Sequence, residues 1–131
     1  MSDTFLFITK PGFTPERVEK NEISWSCSKT TEAEDSILVY LVKTGIAYVW
    51  RATSNAEPDP KWGHACNVKH VCTFKPPISI AELRAAFATN EWKALNRNFQ
   101  GFRSIKIPIE AVRKIIALRP QAPPRKSREM K

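Results

Sequence analysis

The sequence predicts an α+β protein: a small, mostly antiparallel barrel or curved sheet with flanking helices at its ends. Three observations carry this reading. Short runs of β-branched and aromatic residues recur at Phe5 to Ile8, Ile37 to Val42, Ile46 to Thr53 and Cys66 to Phe74. Start signals followed by helical spacing mark a short segment near Thr14 and two longer ones, after Pro77 and at Pro108. The chain has 131 residues, which suffices for one core and hardly for two. The resulting order, β-α-β-β-β-α-α-β-α, suits a sheet that buries one face of itself and covers the other with helices.

The elements follow in turn. Phe5-Leu6-Phe7-Ile8 is bounded by Lys10-Pro11-Gly12 and reads as a buried strand. Thr14 caps a short helix with Pro15 at its first position, running to about Lys20. Ile37 to Val42 is strongly β-prone, and Lys43-Thr44-Gly45 turns it into a strand from Ile46 to about Thr53. Alternation there puts Ile46, Tyr48 and Trp50 on one face and Ala47, Val49 and Arg51 on the other. Ser54 to His64 holds Pro58, Asp59, Pro60 and Gly63 and reads as a long loop, of the kind that often carries function. Cys66 to Phe74 alternates again, with Cys66, Val68, His70, Cys72 and Phe74 on one side.

Ser79-Ile80-Ala81-Glu82 is a capping-box pattern, opening a helix with Ile80, Leu83 and Phe87 as its buried stripe. A helical turn from Glu91 to Leu95 comes next, then a strand from Phe102 to Ile107. Pro108 starts a closing helix with Ile109, Val112, Ile115 and Ile116 at helical spacing. Residues 119–131 contain three prolines, five basic residues and one acid, with almost nothing to bury. They read as a disordered basic tail, which leaves 1–118 as the domain.

Charge narrows the function classes. Residues 1–60 hold six Lys and Arg against nine Asp and Glu; the remainder holds fifteen against four, so the charge runs from −3 to +11. Such asymmetry favours a polyanionic partner, nucleic acid above all. No apolar run approaches the roughly 20 residues that a membrane span needs, so no membrane partner is expected. Three cysteines (Cys27, Cys66 and Cys72) without a secretory signal suit reduced thiols in the cytoplasm. His64, Cys66, His70 and Cys72 resemble a ligand set on paper. Strung along one strand, however, positions i and i+4 stand about 13 Å apart, so no metal is expected. Cys27 has no histidine beside it in sequence to make it a nucleophile, and no Gly-rich phosphate loop is present, so neither a catalytic residue nor a cofactor is expected.

One ordered set of segments goes further. Gly45-Ile46, Pro58-Asp59-Pro60, Trp62, Asn67-Val68-Lys69-His70-Val71, Pro77-Ile78-Ser79-Ile80-Ala81-Glu82-Leu83, Phe99-Gln100-Gly101 and Pro108 to Leu118 follow one another. Together they resemble the EVE domain of the PUA-like superfamily. Phe5 to Pro11 looks like that family's aromatic first strand. Trp25-Ser26-Cys27-Ser28 falls where EVE domains carry a tryptophan and a short polar segment. It is similar to the Trp-Ser-Thr segment of YTH domains, relatives that read N6-methyladenine. Glu34-Asp35 stands in place of the usual Gly-Asp, and the Val-Arg-Asn that often follows the family tryptophan is absent.

The resemblance implies a PUA-like fold and a non-enzymatic module that binds a modified base in DNA, such as 5-substituted cytosine or N6-methyladenine. Relatives of this kind are linked to restriction-type defence, where a partner effector protein would act on the mark. RNA recognition, which PUA-like relatives perform, is the nearest alternative; a small-molecule or protein-interaction module is the next. In physical terms, a base taken out of its stack regains about 1–3 kcal/mol by stacking on an aromatic wall. Trp25 and Trp62 are the expected walls, and Trp50 a further candidate contact. Ser26, Cys27, Asn98 and Gln100 are candidates for reading the base edge. Lys29, Lys61, Arg97, Arg103 and Lys106 are candidates for phosphate, though any of them singly also reads as a solvated charge.

Overall fold

The computed structural model describes residues 3–9, 22–88, 91–96, 99 and 104–118. The helix expected from Thr14 to Lys20 and the tail after Leu118 lie outside these residues. Seven strands form one mixed sheet: β1 (Thr4–Thr9), β2 (Ile23–Ser26), β3 (Ser36–Leu41), β4 (Gly45–Ala52), β5 (Glu57–Asp59), β6 (Gly63–Ile78) and β7 (Ser104–Lys106). Their order is β2-β6-β4-β3-β1-β7, with β5 on β6. β1 runs parallel to β3; the other pairings are antiparallel. Among the described residues three helices accompany the sheet: α1 (Ile80–Ala86), α2 (Lys93–Asn96) and α3 (Ile109–Leu118). The sheet curls into a half-barrel, as the α+β reading expected.

Two strands exceed the expectation. Ile23–Ser26 pairs with Val68–Ala65, and the presumed loop contains β5, which folds back on Gly63–Ala65. Both are short and lie along β6, and their alternation is too brief to stand out among Ser, Glu and Pro.

The curl separates two apolar clusters. One, on the concave side, holds Phe5, Phe7, Ile37, Val39, Ala47, Tyr48, Trp50, Ala52, Cys66 and Val68, with Ile23, Trp25 and Cys27 packed against it. The other joins the opposite side to the helices through Leu6, Leu38, Tyr40, Ile46, Phe74, Ile78, Leu83, Phe99 and Ile115, among others. Strict alternation fails in β4 and β6 because register shifts interrupt their ladder between Ile46 and Tyr48 and between Val49 and Trp50. Ile46 therefore joins the helix-side cluster while Tyr48 and Trp50 face the concave one, and Phe74 parts company with Cys66 and Val68.

Local chemistry fixes the corners. Gly45 has φ +129°, and a Cβ there would run into the backbone carbonyl of Ile78. Only glycine meets both demands. Ser79 and Glu82 complete the expected capping box: the Ser79 hydroxyl accepts from Glu82 N at 3.1 Å and Glu82 Oε1 accepts from Ser79 N at 3.2 Å. Asp35 is buried, and its two carboxylate oxygens accept from the amides of Asp3 and Glu32, tying β1 to the segment before β3.

Candidate nucleic-acid interface

β2 and β6 build the site. Trp25 lies directly opposite Cys66, and the Cys27 amide donates to the His64 carbonyl at 3.1 Å just past the end of β2. Trp25 and Cys27 therefore share one face, the concave one, and Ser26 points the other way. Trp25 is half-buried and stands edge-on to Trp50, with ring centroids 5.3 Å apart and planes at 78°. Trp50 is 1% exposed, and Tyr48 lies nearly parallel to it at 6.4 Å. His70 meets the edge of Tyr48 at 6.1 Å, and its Nε2 is 2.9 Å from the Thr73 hydroxyl. A row of rings thus runs inward from Trp25, each holding the next by edge-to-face or offset contact.

Trp62 is placed differently. It closes the turn between β5 and β6, where Asp59 Oδ1 accepts from both Lys61 N at 2.8 Å and Trp62 N at 2.9 Å. Gly63 follows with φ +86°, letting the chain re-enter the ladder. The indole is 40% exposed, and Lys61 Nζ lies 5.3 Å from its ring centroid. Trp62 precedes Cys66, the partner of Trp25, by four residues, or about 13 Å of strand. The C-terminal end of β2 and the N-terminal end of β6 lie side by side, so Lys29 and the Lys61-Trp62 pair leave the sheet at the same end.

Other expected contacts sit elsewhere. Lys106 is on β7, at the opposite end of the strand order from β2, and pairs with Asp3 at 3.4 Å. It lines a cavity of about 560 Å³ with Ile107, Pro108, Ile109, Val112 and Arg113. Arg97, Asn98, Gln100 and Arg103 lie outside the described residues. Phe99 in their midst is buried against Tyr40 and Trp92, in the helix-side cluster rather than the one holding Trp25.

The thiols differ among themselves. The Cys66 thiol beside Cys27 holds the Cys27 thiol below its ordinary range, and the same pairing together with burial raises that of Cys66. Burial alone raises Cys72. Among the described residues no group of three or more His, Cys, Asp or Glu side chains is arranged to hold a metal ion, and no helix is long and apolar enough to cross a membrane. Tyr48, His70 and Cys66 did not emerge as site residues from the sequence. Alternation had put Tyr48 beside Trp50, but what each strand faces across the sheet depends on register, which no local pattern encodes.

No protein-family model matches the chain, and neither does any curated protein. Solved structures do. The human THYN1 protein in complex with 5-methylcytosine-containing DNA matches with a TM-score of 0.73 at 16% identity, over 93% of this chain and 100% of that one. The chain shares the fold of that protein, a curled mixed sheet with a few helices. A protein of Agrobacterium tumefaciens shares this fold with a TM-score of 0.77 at 14% identity, over 98% of this chain and 100% of that one. The DUF55 domain of human thymocyte nuclear protein 1 shares it at 0.72 and 18% identity, over 88% and 97% of the two chains.

Proposed function

We propose that this EVE-type domain binds a modified nucleobase within nucleic acid and performs no chemistry on it. The observation that carries the reading is the placement of Trp25. It is a partly accessible indole, braced by the buried Trp50, at the end of the sheet where Lys29, Lys61 and Trp62 emerge. The THYN1 complex, with its 5-methylcytosine-containing DNA, supports the same direction through the shared fold.

In this proposal the extruded base stacks on Trp25, and Trp62 closes over it from the hairpin tip. Trp50 acts from behind, by fixing the Trp25 ring. The Cys27 side chain, together with Asn98 and Gln100, reads the base edge; Ser26, on the other face of β2, takes no part. Lys29, Lys61, Arg97 and Arg103 attract phosphates; Lys106, at the far end of the strand order and paired with Asp3, does not. A methyl group on the base is neutral and is recognised by fit against aromatic carbon. DNA is the preferred polymer and 5-substituted cytosine or N6-methyladenine the preferred mark, with a separate effector protein acting on what is bound.

The test is a panel of oligonucleotides differing only in the modification of one base, measured at two salt concentrations beside matched RNA. Tighter binding of one modified base, weakening as salt rises, is expected. Equal affinity for modified and plain bases would end the reading. A covalent change in the recovered nucleic acid would end its non-enzymatic part.

A further inference from the structure

Of the three cysteines, two are neighbours across a strand pair and the third stands apart. Opposite Cys27 in the β2–β6 ladder is His64, and opposite Trp25 is Cys66; Cys27 and Cys66 are therefore diagonal neighbours on one face. Both are free thiols, and both pack in the concave cluster beside Trp25. Cys66 is buried at 3% exposure, whereas Cys27 is partly accessible and lies one residue past the last residue of β2. Cys72 also is partly accessible, but β6 continues past it, and it belongs to neither thiol contact.

We propose that Cys27 and Cys66 are a peroxide-sensitive dithiol, with Cys27 the attacking thiol and Cys66 the resolving one, whose disulfide staples β2 to β6 under Trp25. The Cys27 thiolate attacks one oxygen of hydrogen peroxide; the O–O bond breaks, hydroxide leaves and takes up a proton as water, and Cys27 becomes a sulfenic acid. Cys66 then loses its proton and attacks the Cys27 sulfur; the S–O bond breaks and a second water leaves. The two thiols supply the two electrons that reduce the peroxide. A dithiol reductant reverses the product by exchange.

The division of labour follows from the site. The neighbouring Cys66 favours the Cys27 thiolate against the effect of burial. Thiolate character and access together select which cysteine a peroxide oxidises. Diagonal placement on one face of the ladder sets the Cys66 side chain beside the one it must attack, and the link forms as the two sulfurs close to the roughly 2.05 Å of a bond. Cys27 lies one residue past β2 and is held in register by its amide bond to the His64 carbonyl.

The experiment uses the full chain and no nucleic acid, so its outcome is independent of base binding. The reduced protein is treated with a slight excess of hydrogen peroxide, free thiols are alkylated, and the products are mapped by mass spectrometry. The expected product is an intramolecular Cys27–Cys66 link with Cys72 still alkylated, fully reversed by dithiothreitol. Cys27 should react with peroxide roughly tenfold faster than Cys72. In Cys66→Ser, and in Cys66→Ala as a second variant, the Cys27 sulfenic acid should persist and be captured by dimedone. Equal oxidation of Cys27 and Cys72, or a wild-type protein in which Cys27 gathers sulfenic acid without linking to Cys66, would overturn the proposal.

Discussion

Trp25 stands perpendicular to Trp50 across the β2–β6–β4 surface, the first partly open and the second sealed in the concave core. The two rings therefore separate binding from stability. Trp50→Ala is expected to cost about 3–5 kcal/mol, as removal of a buried aromatic does. Trp25→Ala should cost less and abolish discrimination between modified and plain base. Thermal melts set beside oligonucleotide titrations check both; a Trp25→Ala protein that discriminates fully would move the site elsewhere.

Trp62 and Lys61 make a second pair. With 40% of Trp62 exposed, Trp62→Ala should leave the melting temperature almost unchanged, within about 0.5 kcal/mol, and abolish discrimination of the mark. Lys61→Ala should weaken all oligonucleotides alike and reduce the salt slope by about one. Titration of both variants against modified and plain oligonucleotides separates base reading from phosphate attraction.

Glu34 offers a test of backbone strain. It has φ +78°, a conformation that costs a residue with a side chain about 1–2 kcal/mol. Its ion pair with Arg51 spans 3.9 Å between well-exposed groups and contributes little. Glu34→Gly removes the strain and adds roughly 0.5–1 kcal/mol of glycine entropy, so a net stabilisation of about 0.5–1 kcal/mol is expected. Urea denaturation measures it; a lower midpoint at equal slope would contradict the account.

Gly45 is the opposite case. Gly45→Ala places a methyl group against the Ile78 carbonyl at a φ of +129°. The β4–β6 contact must then open beside Ile46 and Ile78 of the helix-side cluster. A loss well above about 1 kcal/mol is expected, read as a fall in melting temperature and in soluble yield.

The terminal segment tests the contribution of charge. Residues 119–131 carry five basic side chains and one acidic. Removing them should lower affinity for every oligonucleotide alike and flatten the salt dependence. Binding measured over a series of salt concentrations decides this, and an unchanged slope would show that the segment takes no part.

Much of the architecture could be read from local pattern. Ile37 to Val42 and Ile46 to Thr53 announced strands through β-branched density, Ser79 and Glu82 announced a helix start, and Ile109, Val112 and Ile115 announced the closing helix. These signals are legible because they depend on residues within a few positions of one another. The EVE-type resemblance, resting on the order of such segments, pointed to the fold the structure has. Trp25, Cys27 and Trp62 were already candidates for the same reason.

Tertiary structure decided what those residues face. Whether Trp50 points at solvent or into the core depends on two register shifts against β6, and a one-residue slip would reverse it. That Trp25 leans on Trp50, that Cys27 lies diagonally across from Cys66, and that Lys106 emerges far along the strand order from Lys29 and Lys61 are all consequences of strand pairing. Pairing brings together residues tens of positions apart, and its energy lies in the side chains and ladder bonds that meet across the sheet. No stretch of sequence holds both partners, so the chain alone determined which elements form, and only their packing determined which side chains share a site.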